Sequence, residues 1–354
     1  MKNKQLGFTL IELMISLTLG LIIVAAAILL FLTGQRSAAM QKGVAELQDN
    51  ANFGLNYITK DLRLANLNIR TAAINDEVLY GGVVLTSVDS LDVTTSGTVA
   101  KPTIPTSISL SPTLLSQSDD RVAPGTSPVW SGVSNVTDLT DSDLQSDQLV
   151  IQFLPQYTID QKSTSTNTAD DEYVGGFDCE GNEIRYLKSA GLRMYVQRYF
   201  LRADTNKLNN ENSPLALACD AGYYNLSAPT AISNYGDAGE IIIKRVDQFR
   251  VLLGVEGLDT DTSTSTPITS IKHQYLSIKD YMELSSPRPR ILSIQLGMLV
   301  RSTQSVGNES LVKGNQEFEI LDQKVKLKSS NDPKYIRQVV SQTVALRNAL
   351  GERE

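Results

Sequence analysis

Apolar residues run almost unbroken from Phe8 to Leu32 (FTLIELMISLTLGLIIVAAAILLFL). They then settle into a spacing of three and four, and past Leu67 they break into short runs between polar stretches. The first run, about 25 residues with the single charge Glu12, would span roughly 37 Å as a helix. That crosses a hydrocarbon layer roughly 30 Å thick. Lys2 and Lys4 precede it, which predicts a cytoplasmic N-terminus and an exported remainder. A cleaved secretory signal would have a shorter apolar region, roughly 7–15 residues, closed by small residues. Here Ala25-Ala26-Ala27 lie inside the run, with Ile28 to Leu32 still to follow. A plain anchor does not explain Glu12 either, because a carboxylate at mid-bilayer costs about 3 kcal/mol and usually marks a function or a partner.

Beyond the span, Val44, Leu47, Ala51, Leu55, Ile58, Leu62 and Ala65 recur at helical spacing, giving one apolar stripe. Gln48, Asp49, Asn52, Asn56, Lys60 and Arg63 fall largely off it. No proline intervenes, so the pattern predicts a near-continuous helix from Thr9 to about Asn68, with softening at Gly34, Gly43 and Gly54. The second half of the stripe is expected against the protein's own sheet, and the part nearer the membrane against other subunits.

Residues 84 to 147 are rich in Ser, Thr, Asp and Pro around β-branched runs such as Val83-Val84-Leu85 and Ile104 to Leu110, which predicts short strands and long polar loops. Ser163 to Thr166 and Thr262 to Thr266 are low-complexity loops. Clearer strands are expected at Leu149–Leu154, Met194–Leu201, Ile241–Ile243, Phe249–Val255, Ile291–Val300 and Tyr335–Leu346. In Ile291–Val300, Leu292, Ile294, Leu296, Met298 and Val300 alternate with Ser293, Gln295 and Gly297, predicting a buried and a wetter face. Loops rather than crossover helices join these runs, so the fold class is α+β: a long helix on antiparallel sheet.

The 354 residues suffice for a substantial core, and 41% apolar with 20% charged residues is ordinary for a globular chain. A net charge of -7 disfavours nucleic acid as a direct ligand. The chain has two cysteines, Cys179 and Cys219, and one histidine, His273, too few for a four-ligand zinc site. In an exported chain the cysteine pair reads as one disulfide, with two separate buried thiols as the other reading. Closing a loop of about 40 residues would stabilise the fold by roughly 4 kcal/mol.

The stretch Gly7-Phe8-Thr9-Leu10-Ile11-Glu12 after a short basic leader resembles the processing motif of type IV prepilins and type II secretion pseudopilins. The resemblance implies that a membrane peptidase cuts between Gly7 and Phe8, and that Phe8 becomes N-methyl-phenylalanine. It also implies that Glu12 pairs with the free amino group of a neighbouring subunit. Pairing within one chain also fits, since Phe8 and Glu12 are four residues apart on a helix. The sequence leaves both uses open.

Leu47-Gln48-Asp49-Asn50 with Asp61-Leu62-Arg63-Leu64-Ala65, Asp178-Cys179-Glu180-Gly181-Asn182, Arg198-Tyr199-Phe200 and Leu217-Ala218-Cys219 are similar to the PilW-type minor pilins. So are Val246 to Val255, Leu299 to Ser302 and Thr343 to Asn348. The resemblance implies a leader at 1–7, a membrane and filament-core helix at 8–34, an amphipathic extracytoplasmic half at 35–68 and a β-rich head at 69–354. Many major pilins have a proline in this helix, and here none precedes Pro102. With the chain's length, this favours a low-copy minor subunit of a type IV pilus that primes assembly and sits near the tip. The presence of Glu12 points away from the member that tops the filament. Implied partners are other minor pilins, the major pilin, a large tip adhesin, the prepilin peptidase and the inner-membrane assembly platform. The implied location is the inner membrane with a periplasmic head, then the extracellular pilus. A J-type pseudopilin of type II secretion and a tip-binding adhesion module are the rival readings.

No chemistry in the sequence calls for a cofactor or a catalytic role. Nucleotide-binding glycine motifs and a GxSxG elbow are missing from the sequence, and His273 reads as a loop or strand-edge residue. Asp141, Asp143 and Asp147, and the pair Asp259 and Asp261, lack EF-hand spacing and read as solvated loops. Trp130 is expected in the core.

Overall fold

The computed structural model describes residues 9–90, 102–118, 132–161, 170–207, 214–261, 268–303, 305, 316–328 and 335–349. Trp130 and the two Ser/Thr tracts lie outside them. The chain opens with α1 (Leu10–Leu62), unbroken through Gly34, Gly43 and Gly54. It stops six residues before the expected end near Asn68. Asn66 and Asn68 take positive φ, 62° and 55°, a conformation Asn tolerates and a helix cannot continue through.

The head follows as β1 (Val136–Thr137), β2 (Leu149–Phe153), β3 (Thr158–Asp160), β4 (Glu172–Phe177), β5 (Glu183–Leu187), β6 (Arg193–Ala203) and β7 (Leu215–Asn225). Then come β8 (Glu240–Lys244), β9 (Val246–Asp261), β10 (Ile268–Ser277), the short α2 (Ile278–Glu283), β11 (Arg290–Arg301), β12 (Glu317–Ile320), β13 (Gln323–Leu327) and β14 (Arg337–Ala345). Two four-stranded sheets, ordered β2-β6-β7-β8 and β10-β9-β11-β14, carry the head, with three-stranded sheets β3-β4-β5 and β1-β13-β12 beside them. All these pairings are antiparallel. The architecture is α+β, as the patterning predicts.

The apolar stripe of α1 does what its spacing implies. Leu47, Ala51, Leu55, Ile58 and Leu62, with Ala65 just past the helix end, share one buried cluster with Leu217, Ile243, Val251, Leu253, Ile294, Leu296 and Met298 from both large sheets. Burial of this kind contributes on the order of 1.5–3 kcal/mol per large side chain. Gly54 allows the closest approach: a Cβ there would lie 2.0 Å from Ile243 Cγ1. The helix end is tied down by Asn348, just past β14. Asn348 Nδ2 donates to Ala65 O (2.9 Å) and Arg63 O (3.2 Å), and Asn66 Nδ2 donates back to Asn348 O (3.1 Å).

Two expectations about the strands need correction. In β11, Ile294, Leu296, Met298 and Val300 are buried as expected, but Gly297 and Leu299 are buried too. The β1-β13-β12 sheet covers that face: Leu299 packs with Val136, Phe318, Ile320, Val325 and Leu327. A Cβ on Gly297 would meet Leu321 Cγ at 2.7 Å. Secondly, Val83-Val84-Leu85 and Ile104 to Leu110 form no strands, although Val84, Ile104, Ile108 and Leu110 are buried together. Val83 makes only an isolated antiparallel bridge to Ile151, with Val84 N donating to Val150 O, and side chains satisfy carbonyls on the flanking segments. Gln152 Nε2 donates to Gly81 O and Thr103 O, and Gln148 Nε2 donates to Thr113 O and Leu115 O. Such bonds satisfy buried backbone groups without strand pairing.

Candidate functional site

The helix start is a capping box. Thr9 Oγ1 accepts from Glu12 N (3.3 Å), while Glu12 Oε2 accepts from Thr9 N (3.0 Å) and from Thr9 Oγ1 (2.9 Å). This reciprocal arrangement satisfies orphan donors of the first turn and sets a negative charge at the positive end of the helix. The Glu12 carboxylate is thus committed within its own chain to Thr9. Gly7 and Phe8 lie outside the described residues.

From Leu10 to Lys42 every residue is exposed. These residues make a bare rod roughly 50 Å long. An 18-residue window of α1 meets the length and composition needed to cross a membrane, and none of that window is buried. Leu10, Ile11, Leu17, Leu21, Ile23 and Leu30 are all more than 60% exposed. A contiguous apolar surface of this size needs lipid or other helices around it.

Where the rod meets the head, polar groups fix the helix on the sheets. Tyr199 on β6 donates to Asp61 Oδ2 (2.9 Å), and Tyr57 Oη donates to Cys179 O (3.2 Å). Burial pushes the Asp61 carboxyl up to about 6, against the lowering effect of the Tyr199 hydrogen bond. Burial also raises the Tyr199 hydroxyl well above its usual range. Cys179 and Cys219 are joined as a disulfide, with Cα atoms 6.1 Å apart, a separation within the normal range for a bridge. It ties the turn after β4 to β7, under the helix.

The pairing of Asp61 with Tyr199 was not foreseen from the sequence. The signal was there: Asp61 stands three residues after Ile58 and four before Ala65, a carboxylate on the apolar face. Of the acidic residues considered as calcium ligands, Asp141 pairs with Lys326 and Asp143 with Lys328. Asp147 is buried and accepts from Val251 N (2.7 Å) beside Arg250. They serve as surface and buried ion pairs. Asp259 and Asp261 lie within β9. His273 is exposed on β10, at the edge of its sheet.

Two family models match the chain. Residues 2–28 match the prokaryotic N-terminal methylation motif, and residues 199–348 match type IV pilus-assembly protein W. The chain is a pilin of the PilW type. The first match covers Lys2, Lys4, Glu12 and more than half of the bare rod. The second begins at Tyr199 and ends at Asn348, the residue that clamps the helix end. Among solved structures, a type IV-like pilin from Thermus thermophilus is similar at 14% identity, with a TM-score of 0.24, over 62% of this chain and 84% of that one. No curated protein sequence matches the chain. For a PilW-type pilin, the exposed rod and the motif at its start fit a membrane-anchored subunit that interacts with other pilus components.

Proposed function

We propose that this chain is a minor pilin that primes assembly of a type IV pilus and is built in near its tip. In this reading the prepilin peptidase cuts between Gly7 and Phe8, Phe8 is N-methylated, and the chain waits in the inner membrane with its head in the periplasm. It then joins other minor pilins, the major pilin and a large tip adhesin on the assembly platform. The observation that carries the reading is the bare apolar rod with one carboxylate, Glu12, in its first turn. Cutting before Phe8 would create a new cation four residues from that carboxylate. In a low-dielectric bundle, pairing the amine of one subunit with the acid of the next offsets the cost of burying both. The capping bonds from Thr9 both run to Oε2, so Glu12 Oε1 can accept from an incoming amine without breaking them.

The test is complementation of a strain lacking this chain. Loss of surface pili, restored by the wild type but not by Glu12→Leu, is the expected result, with cleavage at Gly7 intact in the variant. Normal piliation in the deletion strain, or full restoration by Glu12→Leu, would contradict the proposal.

A further inference from the structure

We infer that the head carries a calcium site built from Glu180, Asp220 and Asp237, three carboxylates that the Cys179–Cys219 disulfide and one glycine bring together. One oxygen from each lies within 4.8 Å of the other two. Glu180 directly follows Cys179, and Asp220 directly follows Cys219, so the crosslink between the cysteines sets two of the acids side by side. Glu180 is presented by a tight turn in which Asp178 Oδ1 accepts from Glu180 N (3.0 Å) and Asn182 N (2.8 Å). Asp237 comes from the loop before β8. That loop passes so close to Cys219 that a Cβ at Gly239, where φ is +57°, would lie 2.1 Å from Cys219 O. Only glycine permits both the approach and the conformation.

Proximity of acids does not by itself make a site, and the second observation is on Asp220. Its side chain is fully buried. Oδ2 is satisfied by Arg198 Nε (3.0 Å), Arg198 Nη2 (2.8 Å) and Gly236 N (2.8 Å). Oδ1 is buried and has no hydrogen-bond partner. A buried carboxylate oxygen left this way is destabilising, and a cation would satisfy it. Arg198 neutralises one of the three charges, while Glu180 accepts from Asn182 Nδ2 (3.1 Å) and Asp237 from Gly239 N (2.8 Å).

The oxygen-only donor set favours a hard cation, and calcium accepts six to eight such ligands in loose geometry, whereas magnesium demands a near-ideal octahedron. The three acids also run from buried Asp220 through half-buried Glu180 to exposed Asp237, which leaves a route in from solvent.

The test is calorimetric titration of the full-length chain in detergent with CaCl2 and separately with MgCl2, after removal of divalent ions. One calcium per chain, weaker magnesium binding and a calcium-dependent rise in the unfolding temperature are expected. Asp237→Asn, at an exposed position, should weaken calcium at least tenfold while unfolding normally in EDTA. Glu180→Gln with Asp237→Asn should abolish the rise. No uptake by the folded wild type at millimolar calcium, or unchanged affinity in the double variant, would overturn the inference.

Discussion

Tyr199 Oη donates a 2.9 Å hydrogen bond to Asp61 Oδ2, linking an inner strand of one large sheet to the last turn of the 53-residue helix. Both residues are buried, so the pair holds the rod to the head at a point where any slippage would expose a carboxylate to an apolar interior. The energetic sense of the contact depends on pH.

Asp61 has a folded-state value of about 6, above the ordinary carboxyl range near 4. The folded state therefore holds the proton more tightly than the unfolded chain. The resulting stability is fully present below about pH 4 and is lost as pH rises through 6. Asp61→Asn keeps an acceptor for Tyr199 and removes the titration. Relative to wild type, the variant should gain about 1–3 kcal/mol between pH 4 and pH 7. Denaturant unfolding of both proteins across that range measures it, and a difference that stays flat would contradict the assignment.

Gly54 and Ile243 form the tightest contact of the helix with β8 among the described glycines on α1. Gly54→Ala should cost about 1–3 kcal/mol through overpacking, despite the gain in helix propensity. In an Ile243→Ala background the same change should cost less, because the obstructing atoms are gone. A double-mutant cycle with no coupling would show that the helix does not seat against β8 as described.

Reduction of the Cys179–Cys219 bridge should lower head stability by about 2–4 kcal/mol. Peptide mapping without reductant should recover the two cysteines in one crosslinked fragment; two free thiols would contradict the structure.

What the sequence disclosed, and what it hid, follows physical lines. The span and the stripe were legible because helical periodicity over tens of residues is a strong signal: Leu47, Ala51, Leu55, Ile58 and Leu62 lie where their spacing put them. Strands such as Met194–Leu201 were legible from apolar runs, and lie within β6. The central strand β7 was not, since Leu215-Ala216-Leu217-Ala218-Cys219-Asp220-Ala221-Gly222 is poor in β-branched residues and is made a strand by burial between β6 and β8. Likewise, the meeting of Glu180, Asp220 and Asp237 depends on a crosslink and a loop closure, and no local pattern marks it. The end of α1 was misplaced because Asn66 and Asn68 gave no apolar break, only a backbone preference for the left-handed region.

Assembly as proposed requires a processed N-terminus. Intact-mass and N-terminal fragment analysis of the native chain should find it beginning at Phe8 with one added methyl group on the amine. A mature chain that still begins at Met1 would contradict it.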